Sequence, residues 1–336
     1  MKPLKILIVR FSSIGDIAQA MSVVPKLKNE YPNSKIHWIT KERYADMVGF
    51  CRGVDKVWSF NSIKGILGLI LFSLNLRRQG YDLVYDAHSN IRSFILTFFL
   101  LFSYKKLIRR KKFRFKRFVL FNLQKNLFPK RYKATESYMQ PLIKHFYIND
   151  LSFLRVEFDF QKSISKKISH IIRFKEYVVL APSSNWKKKR WPIKKWNNLI
   201  EKLPKINFVI LGGPKDLFCQ DFEKLYPDNT QNLCGKLNLV ESFYAIKMAK
   251  LIISADTGMI HMADILHQKG ILLIGPTAFG ETTGINIEVL KSNLPCMPCS
   301  KDGSGGCSSD VFQKCMQEIS VNSVVSTIHN NLKINV

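Results

Sequence analysis

Leu4-Lys5-Ile6-Leu7-Ile8-Val9 runs straight into Arg10-Phe11-Ser12-Ser13-Ile14-Gly15-Asp16, and a helical spacing of apolar residues follows from about Ile17 to Asn29, before Pro32. A short β-branched run, a polar turn with Gly and an amphipathic helix make the first strand–helix unit of a parallel sheet. The pattern recurs along the chain. Residues 35–40 and 83–86 read as strands in the first half. In the second half, 177–180 is a strand ended by Ala181-Pro182-Ser183-Ser184, 191–203 is a helix with Pro192 in its first turn, and 207–211 is a strand ended by Gly212-Gly213-Pro214. Residues 251–254 and 271–274 are two more, each closed by a polar, Gly-containing turn. The expected fold is α/β with parallel sheets, as two similar halves with a cleft between them. In such sheets ligands bind at the carboxyl ends of the strands, so these turns should line the site.

Size and composition agree. The chain has 336 residues, 46% hydrophobic and 23% charged, which suits about two domains and excludes a disordered chain or a small disulfide scaffold. The Lys- and Ser-rich stretch 161–175 marks the boundary, giving domains 1–165 and 166–336. Lys and Arg total 52 against 25 acidic residues, a net charge of +27, so an anionic partner is expected: nucleic acid, a membrane surface or a phosphorylated substrate. The apolar runs 65–76 and 94–104 are about a dozen residues each, short of the roughly 20 that a spanning helix needs. The basic then apolar opening reads as a strand, not a signal peptide. Seven cysteines without an export signal point to a reducing compartment.

Five segments carry chemistry. In the first turn Gly15 permits a tight bend, and Asp16 sits at a helix start. Asp16 is either a helix cap or a base that takes a proton from a sugar hydroxyl. In Pro182-Ser183-Ser184-Asn185-Trp186-Lys187-Lys188-Lys189-Arg190-Trp191-Pro192, hydroxyls, an amide and dense cations follow a strand. That is either a diphosphate site or a solvated basic loop. Ser254-Ala255-Asp256-Thr257-Gly258-Met259-Ile260-His261 is another helix start ready for an anion. Asp256 there is an acceptor for sugar hydroxyls, and His261 is a structural histidine or a participant. Residues 87–135 hold 14 Lys/Arg and no Asp or Glu, and cations alternate with aromatics from Tyr104 to Phe118. Such a segment suits an anionic bilayer, RNA or plain solvent. Last, Cys296, Cys299, Cys307 and Cys315 fall within 20 residues, which suits a structural zinc or iron site, free thiols or a disulfide-prone loop.

In order and spacing these stretches resemble glycosyltransferase family 9, the ADP-heptose:lipopolysaccharide heptosyltransferases, over about residues 4–320. The motifs are the opening turn, Tyr85-Asp86-Ala87-His88-Ser89-Asn90-Ile91-Arg92-Ser93, the Pro182–Pro192 stretch, Leu211-Gly212-Gly213-Pro214, Ser254 to His261 and Gly275-Pro276-Thr277. The resemblance implies a GT-B fold, two Rossmann-like domains with parallel sheets facing across a cleft. It implies an inverting, metal-independent transfer of heptose from ADP-heptose to the inner core of lipopolysaccharide, peripherally at the cytoplasmic side of the inner membrane. It assigns Asp16 as base and Lys189 to the donor diphosphate, with Ser184 and Asn185 nearby. Asp216 falls at the adenosine ribose, Asp256 at the donor sugar, Thr257 and Gly258 at the phosphates, and His261 in the same motif. The acceptor side takes Ser12, Ser13, Gly15, His88, Arg92, Arg109, Arg110, Lys111 and Lys112. No catalytic cofactor is implied. Two departures stand out: Ala278-Phe279 replaces a polar pair after Thr277, and Asp264 replaces a small residue. A rival reading is a related transferase with another sugar or a protein acceptor. Another is a non-catalytic RNA- or membrane-binding protein on the same fold, although no nucleic-acid motif is present.

Overall fold

The computed structural model describes residues 3–61, 63, 65–129, 132–148, 152–280 and 282–333. The chain divides into two compact units. The first comprises Met1–Phe113 and Lys133–Asp159; the second comprises Arg114–Tyr132 and Phe160–Val336. The division at Asp159/Phe160 falls just before the stretch 161–175 in which the boundary is expected. That stretch is largely a helix of the second unit, and residues 114–132 also belong to the second unit.

In the first unit β1 (Lys5–Val9) leads through α1 (Ile14–Met21) and α2 (Val23–Glu30) to β2 (Lys35–Lys41). The single helix expected over 17–29 is broken at Ser22. Pro25 has no N–H to give the preceding turn, so one helix ends and another begins. Then come α3 (Ala45–Gly49), β3 (Lys56–Phe60), α4 (Gly65–Leu76), β4 (Tyr81–Asp86), α5 (Ile91–Phe99) and β5 (Tyr104–Arg109). The strands pair in parallel in the order β3-β2-β1-β4-β5. Leu7 and Val9 pack with Leu69 and Leu76 of α4 and Leu96 of α5, while Ile6 and Ile8 point to the opposite face. The basic stretch expected to act as one segment is therefore an edge strand, a loop and the helix α6 (Arg114–Leu123), shared between units; its Lys130 and Arg131 lie outside the described residues. The first unit closes with α7 (Glu136–Phe146), packed on α1 and α2.

The second unit runs α8 (Lys162–Ile171), β6 (Val178–Ala181), α9 (Ile193–Lys202), β7 (Phe208–Ile210), α10 (Gln220–Leu225) and β8 (Thr230–Asn232). It continues with α11 (Leu239–Met248), β9 (Leu251–Ala255), α12 (Gly258–Ile265), β10 (Gly270–Leu273) and β11 (Ile287–Leu290). Short α13 (Lys314–Gln317) and α14 (Val321–Leu332) end the described chain. The parallel order is β11-β10-β9-β6-β7-β8. Both sheets start in the middle, grow one way and then switch to the other side of their first strand. The reversal lies between β1 and β4 in one unit and between β6 and β9 in the other. Loops diverge there, which opens a crevice at the strand ends.

Candidate active site

Each switch point carries a carboxylate. In the first unit Asp16 lies one turn into α1, with Ser13 as the residue that starts the helix. The Ser13 backbone N–H and hydroxyl donate to Asp16 Oδ2 at 3.3 and 2.9 Å, and Arg10 Nη2 lies 2.6 Å from the same oxygen. Tyr138 of α7 donates its hydroxyl to Oδ1 at 2.8 Å. Two guanidiniums flank that ring: Arg110 stands 3.6 Å from its centroid and Arg10 5.6 Å. Burial alone would raise the Asp16 carboxyl. Arg10 and Arg110, with the Tyr138 and Ser13 hydroxyls, outweigh it and hold the group far below the usual carboxylate range. The side chain is still 38% exposed, so an ionised carboxylate remains open to a ligand.

Asp16 thus both closes the first turn and stands as an accessible anion. Gly15 does not make the bend expected of it. It lies within α1 and takes no left-handed φ.

The loop after β4 braces this site. Arg10 Nη1 donates to the Ala87 carbonyl at 3.0 Å, tying the two loops of the switch point. Asp86 is fully buried and accepts from the His88 and Ser89 N–H groups at 3.0 and 2.7 Å and from the Ser93 hydroxyl at 2.9 Å. His88 is packed edge-on to Phe11 at 5.3 Å, and burial with nearby Arg10 pushes it down to about 3, so it is neutral at physiological pH. The residues expected to meet the acceptor separate into two kinds. Ser13, Arg92 and Lys111 are exposed, and Ser12 and Lys112 are half-buried. Arg109 reaches Thr97 Oγ1 at 2.8 Å and covers Phe94, and Arg110 donates to Ser137 Oγ at 2.7 Å, so both side chains are held by their neighbours.

In the second unit Lys189, Asp256 and His261 converge. Lys189 Nζ lies 2.9 Å from Asp256 Oδ2, which also accepts from Thr277 Oγ1 at 2.7 Å; His261 Nε2 stands 3.1 Å from Oδ1. Burial would raise Asp256, and Lys189 and His261 override it and hold the carboxyl well below its ordinary value. Lys189 ends a short 3-10 turn after β6, Asp256 follows β9, and Thr277 follows β10, so neighbouring strand ends aim these groups at one point. Thr257 starts α12, its hydroxyl accepting from Met259 N–H at 3.3 Å, with Gly258 first in the helix. Beside this array Asp216 accepts from the Gly213 N–H at 2.7 Å and from the Ser183 hydroxyl. Ser184 is buried, its carbonyl held by Arg190 at 2.9 Å, and Asn185 is exposed.

The loop bearing the cysteines packs on the same array. Lys188 Nζ donates to the Ser304 and Gly306 carbonyls at 3.0 and 2.7 Å. Gly303, at φ +97°, lies so close that a Cβ there would meet Lys189 Cδ at 2.6 Å. The metal site expected on Cys296, Cys299, Cys307 and Cys315 is not supported. Among the described residues no group of three or more His, Cys, Asp or Glu is arranged to hold an ion. Cys315 instead fills the core against Gly275, where a Cβ would come within 2.7 Å of its sulfur, and burial pushes its thiol up to about 11. Packed there, Cys315 acts as a small apolar residue of the core.

A model of glycosyltransferase family 9 (heptosyltransferase) matches residues 71–306. The chain belongs to glycosyltransferase family 9. It is an enzyme of glycosyl transfer. Lipopolysaccharide heptosyltransferase 1 of Campylobacter coli is 25% identical over 292 residues, covering 82% of this chain and 84% of the relative. Among solved structures, the family 9 glycosyl transferase of Veillonella parvula superposes with a TM-score of 0.79 at 18% identity, over 99% of this chain and 98% of that one. ADP-heptose lps heptosyltransferase II of E. coli does so with 0.76 at 16%, over 98% and 99%. These likenesses establish the GT-B fold.

Against this family 9 background the two departures have structural accounts. Phe279 stacks on Tyr132 at 5.0 Å and meets Phe128 and Phe121 at 4.6 and 5.8 Å, so it anchors the 114–132 excursion. Asp264 is buried and accepts from the Thr283 N–H at 2.9 Å, pinning the loop after Phe279. Sequence reasoning missed Tyr138 altogether and gave Arg10 and Thr277 no role. Arg10 and Thr277 stand inside quoted motifs, whereas nothing local marks Tyr138.

Proposed function

We propose that this family 9 enzyme transfers a heptose from ADP-heptose to the inner core of lipopolysaccharide, with inversion, at the cytoplasmic face of the inner membrane. The observation that carries the reading is the Lys189–Asp256–His261–Thr277 array at the second unit's switch point. An ammonium and the amides and hydroxyl at the start of α12 suit a departing diphosphate, which needs charge stabilisation as the glycosidic bond breaks. Asp256 offers acceptor oxygens to the hydroxyls of the donor sugar, with His261 and Thr277 orienting it. Asp216 takes the adenosine ribose, and Ser184 and Asn185 stand near Lys189 on the diphosphate side. The names of the relatives, lipopolysaccharide heptosyltransferase 1 and ADP-heptose lps heptosyltransferase II, support this choice of sugar, donor and acceptor.

Asp16 is the base of this reaction. It is ionised throughout, and it accepts the acceptor hydroxyl's proton as positive charge builds at the sugar carbon, when that hydroxyl is at its most acidic. A raised pKa is not required for such late transfer. Exposed Arg92 and Lys111 face the anionic acceptor. The test is transfer from ADP-heptose by Asp16→Ala. Turnover should fall by about 100-fold or more, the range of a lost general base, while the thermal shift that ADP-heptose induces is retained. Near-normal turnover would remove Asp16 from the role. A protein with no shift for ADP-heptose but one for another nucleotide sugar would change the donor.

A further inference from the structure

Helix α4 is twelve residues without a charge, and its outer arc is apolar. Leu69, Ser73 and Leu76 face the sheet, whereas Ile66, Leu67, Leu71 and Leu74 face solvent, Leu67 at 77% and Leu71 at 64% exposure. At 100° per residue those four fall on one side. Helix α5 lies against α4 and does the same with Ile91 and Phe98, at 76% and 64% exposure, while Phe94 beside them is partly covered by Arg109. The turn after α5 adds Phe102 at 96%. Single exposed apolar side chains are ordinary, but a contiguous field on two adjoining helices marks an interaction surface.

The rim identifies the occupant. Arg77 and Arg78 follow α4 directly, Arg92 stands in the first turn of α5, and Lys105 and Lys106 lie on β5; all five are exposed. The acidic residues between 61 and 129 are Asp82 and Asp86. Asp82 is 2.7 Å from Lys105, and Asp86 is fully buried, so no free carboxylate opposes the cations. No described helix is long and apolar enough to cross a membrane. A short helix with an apolar outer arc and a cationic border lies along a bilayer interface, side chains among the acyl chains and cations at the phosphates. A second copy is a poor occupant, because it would bring Arg77, Arg78 and Arg92 against their own equivalents in a chain of net charge +27.

We propose that the α4–α5 face is a docking surface for an anionic phospholipid bilayer. It goes beyond the basic, aromatic 104–118 stretch, because the apolar contact comes from helices that carry at most one charge each. The proposal does not depend on the identity of the donor sugar.

The test is flotation of the full chain with vesicles of phosphatidylcholine alone and with 30% phosphatidylglycerol, without donor. The wild type should bind the anionic vesicles. Leu71→Glu and Phe98→Glu should each lower the partition coefficient about tenfold, with thermal unfolding unchanged because both sites are exposed. Leu71→Ser serves if a glutamate variant fails to fold. Binding that these variants leave intact, or that 0.5 M salt abolishes completely, would overturn the proposal, since charge alone would then hold the protein. So would a wild-type dimer in sedimentation equilibrium that Leu71→Glu dissociates. Because no transfer is measured, failure here leaves the heptosyltransferase reading standing, and the reverse holds as well.

Discussion

Lys189 and its neighbour Lys188 look alike in the run Lys187-Lys188-Lys189 and do different work. Lys189 pairs with Asp256, whereas Lys188 is buried and holds two carbonyls of the 303–306 loop. A charged hydrogen bond is worth about 1.5–3 kcal/mol, which is roughly 10- to 100-fold in affinity. Lys189→Ala should therefore raise the donor concentration for half-maximal transfer by about that factor. Lys188→Ala should lower the melting temperature more than it weakens the donor. Steady-state kinetics and calorimetry separate the two, and equal kinetic effects would undo the distinction. His88 supplies a prediction in pH. Its ordinary value is 6.5 and burial pushes it down to about 3, so the unfolded chain binds a proton between those values and the native one does not. Stability is full above pH 6.5 and falls as the pH drops towards 3. His88→Gln should flatten that slope in urea denaturation at pH 7.5, 6 and 5. A residual slope from His37, pushed down to about 4, should persist.

At the scale of elements, the excursion 114–132 is the feature most in need of an anchor. Its helix α6 exposes Phe115 and Phe118 and buries Val119 and Leu120. Phe279, on the loop after β10, holds it through three ring contacts. Aromatic pairs contribute about 0.5–1.5 kcal/mol each beyond their buried area. Phe279→Ala should accordingly raise the rate of tryptic cleavage at Lys116, Arg117 or Lys125 severalfold under native conditions. Cleavage at the wild-type rate would mean that other contacts hold the segment. The sequence shows an odd phenylalanine beside Thr277 and an aromatic-basic stretch 150 residues earlier, but nothing in either names the other as its partner.

Over the whole molecule, the alternation of β-branched runs, Gly- and Ser-bearing turns and amphipathic helices was enough for two parallel sheets. Strand pattern and turn chemistry are local, and parallel topology follows from their order. The strand–turn–helix segments that carry Asp16, Lys189, Asp256 and His261 were legible for the same reason: each follows a strand, and strand ends converge at a switch point. Four strands went unread because β3, β5, β8 and β11 are short, polar or lie towards the sheet edges, where burial imposes no clear period. Tyr138 was invisible because it reaches Asp16 from 122 residues away. Clustered cysteines suggested a metal, yet one of the four thiols was needed to fill the core at Gly275. Local order along the chain thus establishes the fold class and most of the members of the Lys189–Asp256–His261 array. Packing alone decides which arginines stay free, which segment joins which unit and which apolar faces remain exposed, because those depend on neighbours that only the folded backbone brings within a few ångströms.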